Sequence, residues 1–111
     1  MLIVSQFFIK YFTPKYIGGI SLFPFIIVAN NTIKENKVFI NHEKIHIRQQ
    51  AELIIVFFYS WYIIEFMIKL IKYKKFYKAY ENISFEREAY VNENDLEYLK
   101  NRNFWSFLKY L

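Results

Sequence analysis

The stretch NHEKIHIRQQ, residues 41–50, holds both histidines of the chain, four positions apart, with Glu43 directly after the first. Side chains at i and i+4 share one face of an α-helix, one turn apart. Asn41 is a residue type suited to a helix N-cap, and no glycine or proline follows it anywhere in the chain. The stretch therefore predicts a helix opening near His42 that presents two imidazoles on one side. Everything before it has a different texture.

On the N-terminal side, ISLFPFIIV (residues 20–28) is rich in aromatic and β-branched residues and reads as a strand. Pro24 lacks a ladder donor and makes it an edge strand. KVFI (residues 37–40) reads as a second short strand returning across the polar turn ANNTIKENK, giving a short β-hairpin. Residues 2–12, with Gln6 and Lys10 four apart, predict an amphipathic helix, which Pro14 and the Gly18–Gly19 pair end.

On the C-terminal side, LIIVFFYSWYII (residues 53–64) is an unbroken apolar run. Twelve residues are too few for a spanning helix, which needs about 20. Extension to Ile71 takes in Glu65 and Lys69, which with Lys72 fall on one polar stripe. The residues from Glu81 to Lys100 predict a further helix capped by Asn82 or Ser84, and NFWSFLKYL is a short aromatic tail. The expected fold is one domain over residues 1–111, mainly α with a small β part, the hairpin preceding the histidine helix.

Composition narrows the class. Hydrophobic residues make up 55% of the 111, with 13 Phe and 10 Tyr. That exceeds what a small core needs, so apolar surface is left for a bilayer, a partner or a ligand groove. The formal net charge is +5, with the excess in KLIKYKKFYK, residues 69–78. Basic residues among aromatics suit an anionic membrane surface or nucleic acid; beside such an apolar segment the membrane surface is preferred and nucleic acid is set aside. The N-terminus lacks a basic region ahead of its apolar residues and a cleavage site, so it does not read as a signal peptide. The expected location is membrane-associated and otherwise cytoplasmic. With no cysteine, disulfides and thiolate metal sites are excluded.

The chemistry of HEKIH is specific. Two histidines one turn apart can converge on one metal ion, and a glutamate after the first lies within reach of an attacking water. This is the pattern of a zinc peptidase, with the glutamate as general base. A catalytic zinc needs a third protein ligand and an open fourth position. No other histidine or cysteine exists, so the third ligand must be a carboxylate among Glu52, Glu65, Glu81, Glu86, Glu88, Glu93, Asp95 and Glu97. Glu65 reproduces the spacing of some aminopeptidase-type gluzincins. In one continuous helix, however, it would lie roughly 28 Å beyond His46 at about 1.5 Å per residue.

NHEKIH followed by FEREAY, residues 85–90, resembles the gluzincin metallopeptidases of the CAAX-prenyl-protease type and the metalloprotease domains of antibiotic-sensing signal transducers. Their downstream motif is commonly Glu-x-x-Ala-Asp. The resemblance implies Zn2+ held by His42, His46 and Glu86, with Glu43 as the catalytic base. It implies a small residue at Ala89 for close helix packing, and an edge strand that pairs with extended peptide. Tyr90 stands where those families carry the aspartate that steadies a histidine ligand. The implied substrate is a peptide or protein, with a membrane-bound one among the options.

Arg48 and Arg87 stand near ligand positions and read as structural charges; Tyr80 and Tyr90 are candidate oxyanion donors; Gln49 and Gln50 are assigned no role. For Glu86 to reach the histidines the apolar run must reverse, and the reversal is expected between residues 58 and 62, at Ser60. A non-catalytic zinc-binding or membrane-associated interaction protein is the alternative reading.

Overall fold

The computed structural model describes residues 2–13 and 17–111. The fold is mainly α with a small β part. Strand β1 (Leu2–Val4) precedes helix α1 (Gln6–Phe12). Strands β2 (Gly19–Leu22) and β3 (Phe25–Val28) follow, and then helix α2 (Asn31–Lys34). The chain continues through α3 (Lys37–Glu52), α4 (Val56–Tyr73), α5 (Phe76–Glu81), α6 (Ser84–Asn92) and α7 (Tyr98–Asn101), and closes with a 3-10 turn, Ser106–Tyr110.

The sheet has the order β1-β3-β2. β3 is central, parallel to β1 (Leu2↔Ile26) and antiparallel to β2 (Ile20↔Ile27). ISLFPFIIV is thus not one edge strand but a tight hairpin. Phe23 and Pro24 make its turn, where a residue with no N–H costs no ladder bond. The predicted helix over residues 2–12 is shortened for a related reason. Leu2–Val4 pair with the open side of β3, and Ser5 then caps α1, its hydroxyl accepting from Phe8 N. The break expected at Pro14 lies outside the described residues.

KVFI is helical, not a strand. Asn36 is the N-cap of α3, its side chain accepting from Phe39 N, so the helix begins a turn and a half earlier than Asn41 suggested. Asn41 caps a different helix end. Its amide donates to the carbonyls of Glu93 and Asp95, both at 2.9 Å, just past α6. Two asparagines five apart are equivalent as local signals, and only the packing of α6 on α3 distinguishes them.

The chain does reverse inside the apolar run, but at residues 53–55 and not at Ser60. α3 and α4 meet at 113°. Leu53 is buried as a hinge anchor, Ile54 adopts a left-handed φ of 51°, and Ser60 sits exposed within unbroken helix. No glycine, proline or polar residue marks the turn, because burial of Leu53 drives it. Leu53 joins Phe58, Ile83, Phe85 and Phe107 in the core cluster. Within it Phe85 lies 4.5 Å, ring to ring, from both Phe58 and Phe107. Each fully buried side chain of this size contributes about 1.5–3 kcal/mol.

The helix expected from Glu81 to Lys100 divides at residues 93–97 into α6 and α7. The α6 N-terminus is capped neither by Asn82 nor by Ser84. The Glu65 carboxylate, on α4, accepts from the Ser84 amide and from its hydroxyl at 2.6 Å. A carboxylate against the positive end of a helix is a favourable partner. Among the described residues no single helix is long and apolar enough to cross a membrane; only the bent pair α3–α4 passes on combined length and composition.

Candidate metal centre

Helical geometry places His42 and His46 over one another on the buried face of α3, and α6 crosses that face with Glu86 in its first turn. The Nε2 atoms of the two histidines are 3.1 Å apart. Glu86 Oε1 lies 3.2 Å from His42 Nε2 and 3.0 Å from His46 Nε2. All three residues are buried. Three ligand atoms held about 2.0–2.2 Å from one tetrahedral zinc stand roughly 3.3 Å apart, so this near-equilateral triangle is close to a ready-made three-ligand face. The donor set, two imidazoles and one carboxylate, suits zinc.

Burial opposes a charge on His46, but the adjacent Glu86 carboxylate outweighs it and raises the imidazolium pKa to about 9. Burial likewise pushes Glu86 up, yet His46 and His42 overcome it and hold Glu86 well below the usual carboxylate range. In the metal-free protein an anionic Glu86 and a protonated His46 thus stabilise one another.

Other groups hold the three side chains in place. Tyr62 donates to Glu86 Oε2 at 2.7 Å, leaving Oε1 for the cluster. His42 Nδ1 meets Glu93 Oε2 at 3.2 Å, and His46 Nδ1 meets Gln49 Oε1 at 2.8 Å. The carboxylate beside His42 Nδ1 is thus that of Glu93, and not one at position 90. Tyr90, at that position, packs its ring edge-on to His42 at 4.5 Å. Burial, then the charge of Glu86, raises the pKa of Tyr90 to about 12 and that of Tyr80 further. Both phenols stay protonated, and their hydroxyls are hydrogen-bonded to one another.

Glu43 follows His42 and turns toward β2, where the Ser21 hydroxyl donates to its carboxylate. Glu43, His46 and Glu86 line one end of a cavity of about 280 Å³ whose remaining walls are largely aromatic, including Phe58, Tyr59, Tyr62, Phe66 and Tyr80. β2 is an outer strand of the sheet, but its outward carbonyl at Ser21 already accepts from Gln50 Nε2 (2.9 Å) and Tyr59 Oη (3.1 Å).

The remaining candidate carboxylates lie elsewhere. Glu65 caps α6, Glu52 and Glu88 bind Arg102, Glu97 pairs with Lys100, and Asp95 accepts from Glu97 N. Glu65 also accepts from Trp61 Nε1 at 3.2 Å. Arg48 is exposed, and Arg87 is a structural charge that donates to the Tyr110 carbonyl.

Gln49 and Gln50 carry more than their sequence suggested. Gln50 accepts from Phe23 N and donates to Ser21 O, clamping the hairpin onto α3. Gln49 Oε1 meets His46 Nδ1. The available signal was position: both lie within one turn of His46, on a helix whose polar residues would otherwise face solvent.

No protein-family model matches the sequence, and no curated protein or solved structure does either.

Proposed function

We propose that the protein is a zinc-dependent metallopeptidase of gluzincin type, hydrolysing peptide bonds at the His42–His46–Glu86 cluster. The observation that carries this reading is the convergence of those three side chains within 3.2 Å of one another, beside Glu43 and an open aromatic cavity. Zinc there would supply a Lewis acid for the substrate carbonyl and acidify a water. Glu43 takes the proton of the attacking water and returns it to the leaving amine. Tyr80, protonated and on the cavity wall, is positioned to donate to a developing oxyanion. The aromatic walls favour a peptide with bulky apolar side chains at the cleaved bond.

Membrane-surface attachment belongs to the same proposal. α4 leaves Phe57, Ile64, Ile68 and Ile71 exposed on one side, and exposed Lys72, Lys74, Lys75 and Lys78 follow at its end. An apolar face beside a basic rim suits anionic lipid headgroups.

A second reading, a non-catalytic zinc-binding or interaction protein, is favoured by one feature. The outer edge of β2 is occupied at Ser21, where an extended peptide would otherwise pair. Glu43→Gln separates the two. For a peptidase it abolishes cleavage of an apolar peptide and leaves zinc content at one per chain. Folded wild-type protein that takes up no zinc at neutral pH would end the peptidase reading and leave a metal-free interaction protein.

A further inference from the structure

We propose that Gln49, Glu88 and Arg102 form a buried relay that sets the ring orientation of His46 and presents its Nε2 to the metal; the inference rests on the zinc reading above. The chemistry of the partners fixes the orientation of the Gln49 amide. Its nitrogen is 2.8 Å from Glu88 Oε1 and 3.2 Å from the Phe85 carbonyl. Both are acceptors, so the NH2 group must face them and the amide oxygen must face His46. That oxygen, 2.8 Å from His46 Nδ1, can only accept. The proton that stays on the imidazole when the ring is neutral is therefore the one on Nδ1, and Nε2 is the nitrogen left for the cluster.

Glu88 is in turn held from behind. Arg102 donates to both its oxygens, and Tyr98 donates to Oε2 at 2.6 Å. Arg102 also reaches Glu52 Oε2 at 2.7 Å. The side chains of Arg102 and Glu88 are wholly inaccessible, as is Gln49. Such a group is costly to bury unless every polar atom is partnered, and here every one is. The arrangement is a carboxylate–amide–histidine series, longer by one amide than the direct carboxylate–histidine pair that Glu93 makes with His42. The charge of Glu88 polarises the amide, and the amide oxygen then withdraws the Nδ1 proton and enriches Nε2. Gln49 is a positioning residue, and the C-terminal segment carrying Tyr98 and Arg102 is its anchor.

The test compares wild type with Gln49→Leu, an apolar replacement of similar size, in two measurements. Competition against a chelator gives zinc affinity, expected to fall roughly 10–100-fold. Proton NMR of 15N-labelled protein gives the Nδ1–H signals of the two histidines. The His46 signal is expected to be slow to exchange in wild type and lost in Gln49→Leu, whereas the His42 signal, held by Glu93, persists in both. A general loss of structure would remove both signals, so His42 is the internal control. A folded Gln49→Leu with unchanged affinity and a protected His46 Nδ1–H would overturn the relay. If Gln49→Leu does not fold, wild type decides alone: fast exchange of that proton overturns the proposal. If wild type takes up no zinc, the zinc reading fails, and the Nδ1–H of metal-free His46 still decides the relay in the same way.

Discussion

His42 and His46 face the cluster with the same nitrogen, Nε2, because each has its Nδ1 engaged, by Glu93 and Gln49. Replacing either histidine by alanine is expected to remove zinc from the purified protein, measured by elemental analysis; retained stoichiometry would show that the ion sits elsewhere. The charge state of the cluster gives a second expectation. With its pKa near 9, metal-free His46 holds a proton at neutral pH that zinc must displace. Zinc binding at pH 7 is therefore expected to release about one proton and to strengthen as pH rises toward 9. Calorimetric titration in two buffers of different ionisation enthalpy reads this directly, and identical heats would refute it. The sign for the metal-free fold is opposite. A raised pKa contributes stability that is complete below the ordinary value of 6.5 and is lost as pH climbs through about 9.

At the scale of elements, α4 does two unrelated things. Its inward side carries Glu65 to the start of α6. Glu65→Ala leaves the buried Ser84 amide without a partner and is expected to cost about 1–3 kcal/mol in denaturant unfolding, with zinc stoichiometry unchanged. Loss of metal with little loss of stability would restore Glu65 as a ligand. Its outward side bears the exposed Ile64 and Ile68. The pair Ile64→Glu and Ile68→Glu is expected to abolish sedimentation with vesicles rich in phosphatidylserine while leaving zinc content intact. Wild-type protein that ignores such vesicles would remove the membrane proposal.

For the whole molecule, the deciding contact is between distant parts of the chain. Phe107, in the last turn, completes the aromatic cluster with Phe85 and Trp61. Truncation of a buried phenylalanine costs about 3–5 kcal/mol. Domains of this size hold roughly 5–15 kcal/mol in total. Phe107→Ala is thus expected to lower the thermal midpoint steeply and to weaken zinc binding, because the same segment carries Arg102. A midpoint within a few degrees of wild type would show the tail to be dispensable.

The histidine spacing and the glutamate beside it were legible in the sequence because each is a local fact, whereas Glu86 was one of eight carboxylates left open and was singled out only by the resemblance of FEREAY. Helical period places His42 above His46 whatever surrounds them, and the absence of other histidines and of cysteine left only carboxylates as partners. The mainly helical class with a small β part was legible for the same reason. What remained hidden depends on contacts between residues far apart. Residues 37–40 are apolar enough for a strand and are helix, because Asn41 is drawn to the carbonyls of Glu93 and Asp95 and the cap falls to Asn36. The reversal carries no turn residue and falls at residues 53–55, where burying Leu53 against Phe58, Ile83, Phe85 and Phe107 outweighs the left-handed backbone at Ile54. Gln49 looks like any helix glutamine until Glu88 and Arg102 arrive from the C-terminal part of the chain. A local pattern determines which groups a helix presents; only tertiary packing decides which of them are buried, and a buried polar group must be given a partner.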